Sequence, residues 1–573
     1  MAAGFSELKK NLKKDFLGFP EIKTAVLADS ASQLFCQALK GFGYTQQLNL
    51  NIWEADYDRI YESVMDDGSE LYSFKPAVVI IFQSSRKLLN RFNNKDYTAK
   101  SRFADDHIDQ LDLLTKTINT KLKCNIIYLN LNEINDRVFG NFGNKTEQSF
   151  IYQLRKINVE LMHLAAKITN LNIADLSTLQ NQYGAAVISS DRLYVNTDNV
   201  IEIDALGLVA KTITDIILVF AGKFKKCLVL DLDNTLWGGI IGDDGIENIQ
   251  IGDLGIGKAF TGFQQWIKQL KQRGIILTIC SKNTEHIAKE PFEKHPDMVL
   301  RLDDIAVFIA NWENKVNNIR QIQSILNIAF DSMIFLDDNP AEREIVRMNI
   351  PEICVPELPE DPADYLTFLY HEQLFETGSF TEEDKLRTKQ YREEAERNVM
   401  QASYVNEEEF LKSLQMQAIV KPIDKFTLPR AAQLTQRSNQ FNLRTIRYTE
   451  EDVQSIITYP DKFTLTISLK DKFGDYGLIS LVIAEKNENG NLFIDTWIMS
   501  CRVLKRGVEH LVLHELVKLA AQNGCTGISG EFLPTPKNGL VKDHYEKLGF
   551  VQLGKLWQLD IKAWESATFY ISI

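Results

Sequence analysis

The chain has no CxxC pair, no long apolar run and no excess of basic residues, and each absence removes a class of function. Its seven cysteines, Cys36, Cys124, Cys227, Cys280, Cys354, Cys501 and Cys525, are odd in number and scattered. That distribution supports neither a disulfide framework nor a zinc site, and it fits a reducing compartment. The longest apolar stretches, AVVIIF from Ala77 and IILVFAG from Ile216, fall far short of the ~20 residues needed to cross a bilayer. The opening MAAGFSELKKNLKK lacks the apolar core of a secretory leader, so a cytoplasmic protein without a membrane partner is expected. Acidic residues outnumber basic ones, giving a net charge of -13. Nucleic-acid binding needs clustered Lys and Arg along the phosphates, so no nucleic-acid partner is expected either. Internal repeats and low-complexity tracts are missing as well.

What is present is an ordinary globular composition, with 45% hydrophobic and 25% charged residues over 573 positions. A single core stops growing near about 250–300 residues, so three domains are expected. From residue 1 to about 222, short apolar runs such as TAVLADS, AVVIIFQ and CNIIYLNL alternate with helical stretches. That alternation marks parallel α/β architecture. A second series over 223–374 has strands CLVLDLD, IILTICSKN and SMIFLDDN, apolar throughout as in parallel strands covered on both faces. Residues 375–410 are charged and helical in propensity, with Thr381 and Asp384 spaced as a capping pair, and read as a helical linker. From 411 to 573 alternating strands and one strong helix predict an α+β domain.

The chemistry concentrates in the middle segment. Ligands of parallel sheets bind beyond the carboxyl ends of the strands, and here those positions carry Asp231 and Asp233, Ser281, then Asp337 and Asp338, with Lys315 opening a helix. A carboxylate can attack phosphorus and form an aspartyl phosphate, which makes Asp231 a candidate nucleophile. Asp233 is the candidate general acid and base. Ser281 and Lys315 can hold the phosphoryl oxygens. Several carboxylates on one rim repel, and Mg²⁺, held by one or two carboxylates plus phosphate oxygens, resolves the repulsion. Taken singly, each motif has a plainer use: DNT can cap a turn, Ser281 can form one, and Lys315 can be a solvated helix residue. Their order, each at a strand end, favours a phosphoryl site.

DLDNTLWGG, CSKN, NWENK and FLDDNPAERE resemble the four motifs of the haloacid dehalogenase superfamily in the form carried by FkbH-like proteins. The resemblance implies Asp231 as nucleophile, Asp233 as acid/base, Ser281 and Lys315 as phosphate binders, and Asp338 as the metal-binding acid with Asp337 beside it. With Asp231 and Asp233 these complete the expected magnesium set. The spacing from Asp233 to Ser281 and from Ser281 to Lys315 holds little beyond a helix and loops, so an uncapped site is expected, open to a protein-borne substrate or covered by a neighbouring domain. The resemblance further implies conversion of a small phosphorylated substrate, 1,3-bisphosphoglycerate, into a glyceryl thioester on an acyl carrier protein. The alternative is a phosphatase or phosphotransferase of sugar or polysaccharide metabolism without acyl transfer. A noncatalytic assembly role is disfavoured by the intact acidic set. Acyl transfer requires a sulfur nucleophile, and Cys280 is the only cysteine on the rim; its plainer role is a small apolar residue closing a strand.

In the C-terminal segment, SCRVLKRGVEHLVLHELVKLAAQ and DHYEKLGF resemble the GNAT acyltransferase fold, whose RxxGxG/A loop grips the pyrophosphate of coenzyme A or a phosphopantetheine arm. Arg502 and Gly507 fit that loop, Lys505 stands where its first glycine is expected, and Arg506 and Tyr545 complete the candidate set. An acyl or pantetheine binding module is expected first and an independent acetyltransferase second. GDYGL from Gly474 and QRSNQFN from Gln436 also resemble FkbH-like C-terminal regions. Near the start, AVLADSASQ places Asp29 and Ser30 after a strand in a layout similar to SGNH hydrolases. A serine hydrolase needs a histidine base, yet this region has only His107 and His163, both in helical stretches. A scaffold or carrier-docking role is expected for it.

Overall fold

The structure is a computed structural model that describes residues 3–573 except 402, 403, 405, 439, 488, 501, 502 and 536. It divides into two compact units, Met1–Phe220 and Ala221–Ile573. The first unit is built on strands β1 (Glu21–Ala28), β2 (Asn49–Glu54), β3 (Val78–Phe82), β4 (Asn125–Leu129) and β5 (Leu171–Ala174). They lie in the order β2-β1-β3-β4-β5, every pair parallel. Alternate residues serve opposite faces. Val26, Ile80 and Ile127 pack under the helices Gln33–Thr45 and Leu206–Phe220 on one side. Ala25, Val79 and Ile126 pack under Ile60–Met65 and Phe103–Lys121 on the other. Two covered faces explain why VVIIF shows no polar alternation.

The second unit contains a parallel sheet of β6 (Cys227–Leu230), β7 (Ile276–Ser281), β8 (Val307–Ala310) and β9 (Met333–Leu336), in the order β8-β7-β6-β9. Leu228, Leu230, Leu277 and Ile279 face the helix Gly257–Gln272. Val229, Ile276 and Phe335 face the helix Lys315–Leu326. The same unit holds a larger mixed sheet of β10 (Met416–Lys421), β11 (Lys462–Lys470), β12 (Asp475–Lys486), β13 (Asn491–Met499), β14 (Gly527–Glu531), β15 (Val551–Leu553), β16 (Leu556–Asp560) and β17 (Ile571–Ser572). Its order is β15-β16-β14-β13-β12-β11-β10-β17. Most neighbours are antiparallel, but β10 and β17 run parallel, as do β13 and β14, which are joined across the helix Val508–Gln522. The fold class is therefore α/β, with two parallel sheets and one mixed α+β sheet.

The segment read as a linker is bound on both sides. Thr381 and Asp384 form a capping box at the helical turn Glu382–Leu386, and the helix Arg387–Gln401 follows. Asp384 is fully buried and pairs with Arg387 and Arg437. Arg397, equally buried, pairs with Asp471 at 2.9 Å and with Glu394. Charge pattern alone reads as solvated surface, whereas here the charges neutralise one another inside the fold. The C-terminal residues meet the phosphoryl-site sheet at its amino edge. Lys226, just before β6, donates to the Arg437 carbonyl at 3.2 Å. Asp331, just before β9, pairs with Lys537 at 2.6 Å, and the Gly274 carbonyl, just before β7, accepts from Arg387 at 3.2 Å. These contacts brace the edge opposite the carboxyl ends of the strands.

Candidate active site

The site grows out of the middle strand. Every residue of β6 is buried, and the Asp231 amide continues the ladder by donating to the Leu336 carbonyl at 3.0 Å. Beyond it the chain must reverse sharply. Asn234 takes φ +55° and Gly239 φ +94°, and a Cβ at Gly238 would sit 2.8 Å from Gln250 Oε1. The Trp-Gly-Gly sequence is therefore the turn that carries the carboxylates. Trp237, fully buried, anchors it, and its Nε1 donates to Asp233 Oδ1 at 3.0 Å.

The other strand ends converge on the same rim. Asp337 is fully buried, and its Oδ1 accepts the Asn339 amide at 2.9 Å. Asp338 Oδ1 accepts from Thr235 Oγ1 at 3.2 Å, and that hydroxyl in turn accepts the Asp338 amide at 3.1 Å. Arg343 clamps the turn from behind by donating to the carbonyls of Asp337 and Asp338 at 2.9 and 2.7 Å. Lys315 is the first residue of its helix, behind the cap of Asn314. Its buried ammonium lies 2.9 Å from Asp231 Oδ2 and hydrogen-bonds Asp337 Oδ2. Ser281 closes β7 and is buried at the same edge.

Carboxylate oxygens of Asp231, Asp337 and Asp338 lie within 4.8 Å of one another. Asp231 Oδ1 is buried and has no hydrogen-bond partner among the described residues. A buried anionic oxygen left unpaired is costly, and three carboxylates around one ammonium exceed the positive charge available. Burial first, and Asp231 second, push the Asp338 carboxyl above the usual carboxylate range and Asp337 up to about 7. Burial alone would lower Lys315, but Asp231 and Asp337 hold its ammonium well above the ordinary lysine value. An all-oxygen acidic set with one free buried oxygen fits a hard divalent cation such as Mg²⁺.

Asp233 stands apart from this cluster. Its Oδ1 accepts from Trp237 and from the Ile241 amide at 3.0 Å, and its Oδ2 accepts from Asn283 at 3.1 Å. Its carboxyl is therefore held by donors and is not part of the three-carboxylate set. Burial raises it above the usual range against those bonds, which suits a group that carries a proton. Cys280 is corrected from a rim nucleophile to a core residue. Strand alternation turns it into the apolar layer with Val229 and Phe335. Its thiol is fully buried, lies 3.7 Å from the Lys315 carbonyl, and is pushed far up by burial. Thr235, Asn283 and Arg343 were not singled out from the sequence, because each acts by holding another side chain. Between Asp233 and Ser281, and between Ser281 and Lys315, no separate domain intervenes among the described residues. The helices Ile241–Asp244, Gly257–Gln272 and Glu285–Lys294 fill those stretches.

The C-terminal candidates separate. Arg502 lies outside the described residues. Lys505, at φ +62°, and Gly507, at φ +79°, shape the turn into the helix Val508–Gln522. Both line a cavity of about 770 Å³ with His510, His544 and Lys547. Arg506 also borders it, but its guanidinium is neutralised inside the fold by Glu394, and it donates to the Tyr476 hydroxyl at 2.7 Å. Tyr545 is fully buried, stacked on Trp557, with its hydroxyl against Gly530. In the first unit Ser30 is buried with its hydroxyl unpartnered, while His107 bonds Tyr128 and His163 bonds Glu160. Among the described residues neither histidine therefore serves Ser30 as a base.

Residues 23–218 match the family described as FkbH, N-terminal domain. The N-terminal part of the protein BF1531 from Bacteroides fragilis, a crystal structure containing a phosphatase domain complexed with Mg, is 50% identical. That match covers 66% of this chain and 100% of that one, with a TM-score of 0.64. A ribosomal-protein alanine N-acetyltransferase from Escherichia coli is 15% identical over 27% of this chain and 100% of its own, with a TM-score of 0.21. The spermidine/spermine N-acetyltransferase SpeG from Vibrio cholerae is 15% identical over 26% of this chain and 95% of its own, also with a TM-score of 0.21. No curated protein matches the chain at a significant level. Half of all residues are shared across the whole solved part of the Bacteroides protein, and the chain belongs to the FkbH-like family of the haloacid dehalogenase superfamily.

Proposed function

We propose that the second unit is a Mg²⁺-dependent phosphoryl-transfer enzyme that opens an acyl phosphate and passes the acyl group to a carrier-borne thiol. The observation that carries the phosphoryl chemistry is the free, buried Oδ1 of Asp231, flanked by Lys315 on its other oxygen and by Asp337 and Asp338. Asp231, Asp337 and Asp338 would hold the cation, which when bound draws charge from the phosphoryl oxygens. One oxygen of Asp231 attacks the phosphorus of a phosphate ester and the bond to the leaving oxygen breaks, leaving an aspartyl phosphate and an alcohol. The acyl group moves in a separate displacement, in which the carrier thiolate attacks the acyl carbon of the acyl phosphate and inorganic phosphate leaves. Asp233 gives its proton to the leaving oxygen, then takes one from the incoming nucleophile. Ser281 and Lys315 hold the transferred phosphoryl.

The acyl-transfer part of this reading places the acceptor thiol on the carrier, because the Cys280 thiol has no path to solvent. An open site supports a protein-borne substrate. Two apolar side chains stand exposed on the loops of the rim, Ile240 after β6 and Trp312, 75% exposed, after β8. Exposed apolar groups beside a polar site favour protein contact. The cavity beside Lys505 and Gly507 supports a coenzyme A or phosphopantetheine arm at the helix start.

Incubation of the full chain with 1,3-bisphosphoglycerate, Mg²⁺ and pantetheinylated carriers tests the reading. A carrier mass gain of one glyceryl group supports transfer. Phosphate release without carrier loading moves the assignment to a phosphatase or phosphotransferase of sugar or polysaccharide metabolism.

A further inference from the structure

The first unit contains a small polar pocket that no part of the phosphoryl chemistry uses. It lies at the carboxyl edge of the five-stranded sheet, where ligands of parallel sheets bind. Asp29 follows β1, Gln83 follows β3, and Asp58 lies beyond β2. The facing wall is the helix Ser85–Asn93 and the residue after it. Lys87, Asn90, Arg91 and Asn94, spaced three and four apart, turn one polar stripe toward the sheet. The apolar residues Leu88 and Phe92 of the same helix pack elsewhere. Asn90 and Asn94 lie at the exposed mouth, and Lys87 and Arg91 reach further in.

The decisive feature is Arg91. Its Nε and Nη2 are buried and have no hydrogen-bond partner among the described residues. These two nitrogens form the side-on fork of a guanidinium, the edge that receives a carboxylate through two parallel bonds. Arg91 as a whole is half-buried, but these two donors are turned away from solvent with no acceptor, which is unfavourable unless a ligand supplies one. Beside it sits Asp29, also buried, whose Oδ1 already accepts the Ser84 amide at 2.9 Å. Lys87 and Asp58 approach each other at 3.4 Å on the rim and offset one another. The pocket measures about 180 Å³, room for about six water-sized groups at ~30 Å³ each.

We propose that this pocket binds a small hydroxycarboxylate, its carboxylate on the Arg91 fork and its hydroxyl against Asp29. A single negative charge matches the one unpaired guanidinium. A phosphate dianion would bring a second charge against Asp29 and Asp58 and is disfavoured. The site is separate in sequence and chemistry from the Asp231 rim, so it stands or falls independently of the phosphoryl-transfer reading.

Titration of the full chain with lactate, propionate and inorganic phosphate, followed by calorimetry or ligand-observed NMR, tests the proposal. Lactate is expected to bind saturably and more tightly than propionate or phosphate. Arg91→Met is expected to weaken lactate by about tenfold or more, since two bonds to a charged partner are lost. Arg91→Lys, which keeps the charge and loses the fork, is expected to weaken it as well, and serves where the Met variant fails to fold. Asp231→Asn is expected to leave lactate binding unchanged. Absence of saturable lactate binding, tighter binding of phosphate, or lactate binding indifferent to both Arg91 variants overturns the proposal.

Discussion

The Lys315 ammonium lies 2.9 Å from Asp231 Oδ2 and bonds Asp337 on its other side, so one cation serves two carboxylates from two different strand ends. Its removal leaves three clustered acids whose carboxylates are paired with no cation among the described residues. Lys315→Met is therefore expected to cost about 3 kcal/mol of stability in the absence of divalent cation, as breaking a buried pair does. Mg²⁺ is expected to restore part of the loss. Thermal melts of wild type and variant with EDTA and with Mg²⁺ measure both effects.

The same crowding sets a pH dependence. Burial first, then Asp231, push the Asp337 carboxyl up to about 7 in the folded chain from an ordinary value of 3.8. Between those values the folded state holds more protons than the unfolded one, so stability falls as pH rises. Without metal the protein is expected to be most stable near the acid end of that window and to lose stability toward neutrality. Asp29, also pushed up to about 7 by burial, adds the same sign from the first unit. Mg²⁺ binding needs the rim carboxylates ionised and stabilises the chain more as pH rises. Melting temperatures against pH, with and without Mg²⁺, are expected to diverge above about pH 6; parallel curves would speak against a metal held by these acids.

Asp233 is held by Trp237, Ile241 and Asn283 and carries a raised carboxyl. Asp233→Asn keeps the acceptor for Trp237 and Ile241, turns an amide NH2 toward Asn283, and cannot move a proton. Phosphate release is expected to fall about 100-fold to 10,000-fold, with phosphorylated enzyme accumulating after acid quench. A turnover equal to wild type would remove Asp233 from the chemistry.

Cys280→Ala separates the two sources of a thiol. The side chain is buried in the layer under the helix Lys315–Leu326, so the expected cost is about 1 kcal/mol of packing. Phosphate release and carrier loading are expected to persist unchanged. Loss of carrier loading with phosphate release intact would return the acyl group to Cys280.

The sequence shows best what repeats along the chain and least what meets across it. Apolar runs such as CLVL and VVIIF announce covered parallel strands, and residues just beyond them announce a rim. Hence Asp231, Ser281, Lys315, Asp337 and Asp338 could be placed before any coordinates. Cys280 misleads because strand alternation decides its face, and one residue's shift moves a side chain from rim to core. Thr235 and Arg343 stay hidden because holding another group leaves no local pattern. The charged stretch from 375 to 410 reads as solvated spacer, yet Asp384, Arg397 and Arg437 find partners far along the chain. Composition cannot show which charges meet.

The most direct test is to find the bond that Asp231 forms. The full chain is mixed with 1,3-bisphosphoglycerate and Mg²⁺, quenched in acid within the first turnover, reduced with borohydride and read by peptide mass spectrometry. Reduction of an aspartyl phosphate to homoserine at position 231 is the predicted result. Reduction confined to Asp337 or Asp338, or phosphate released with no residue reduced, contradicts the account.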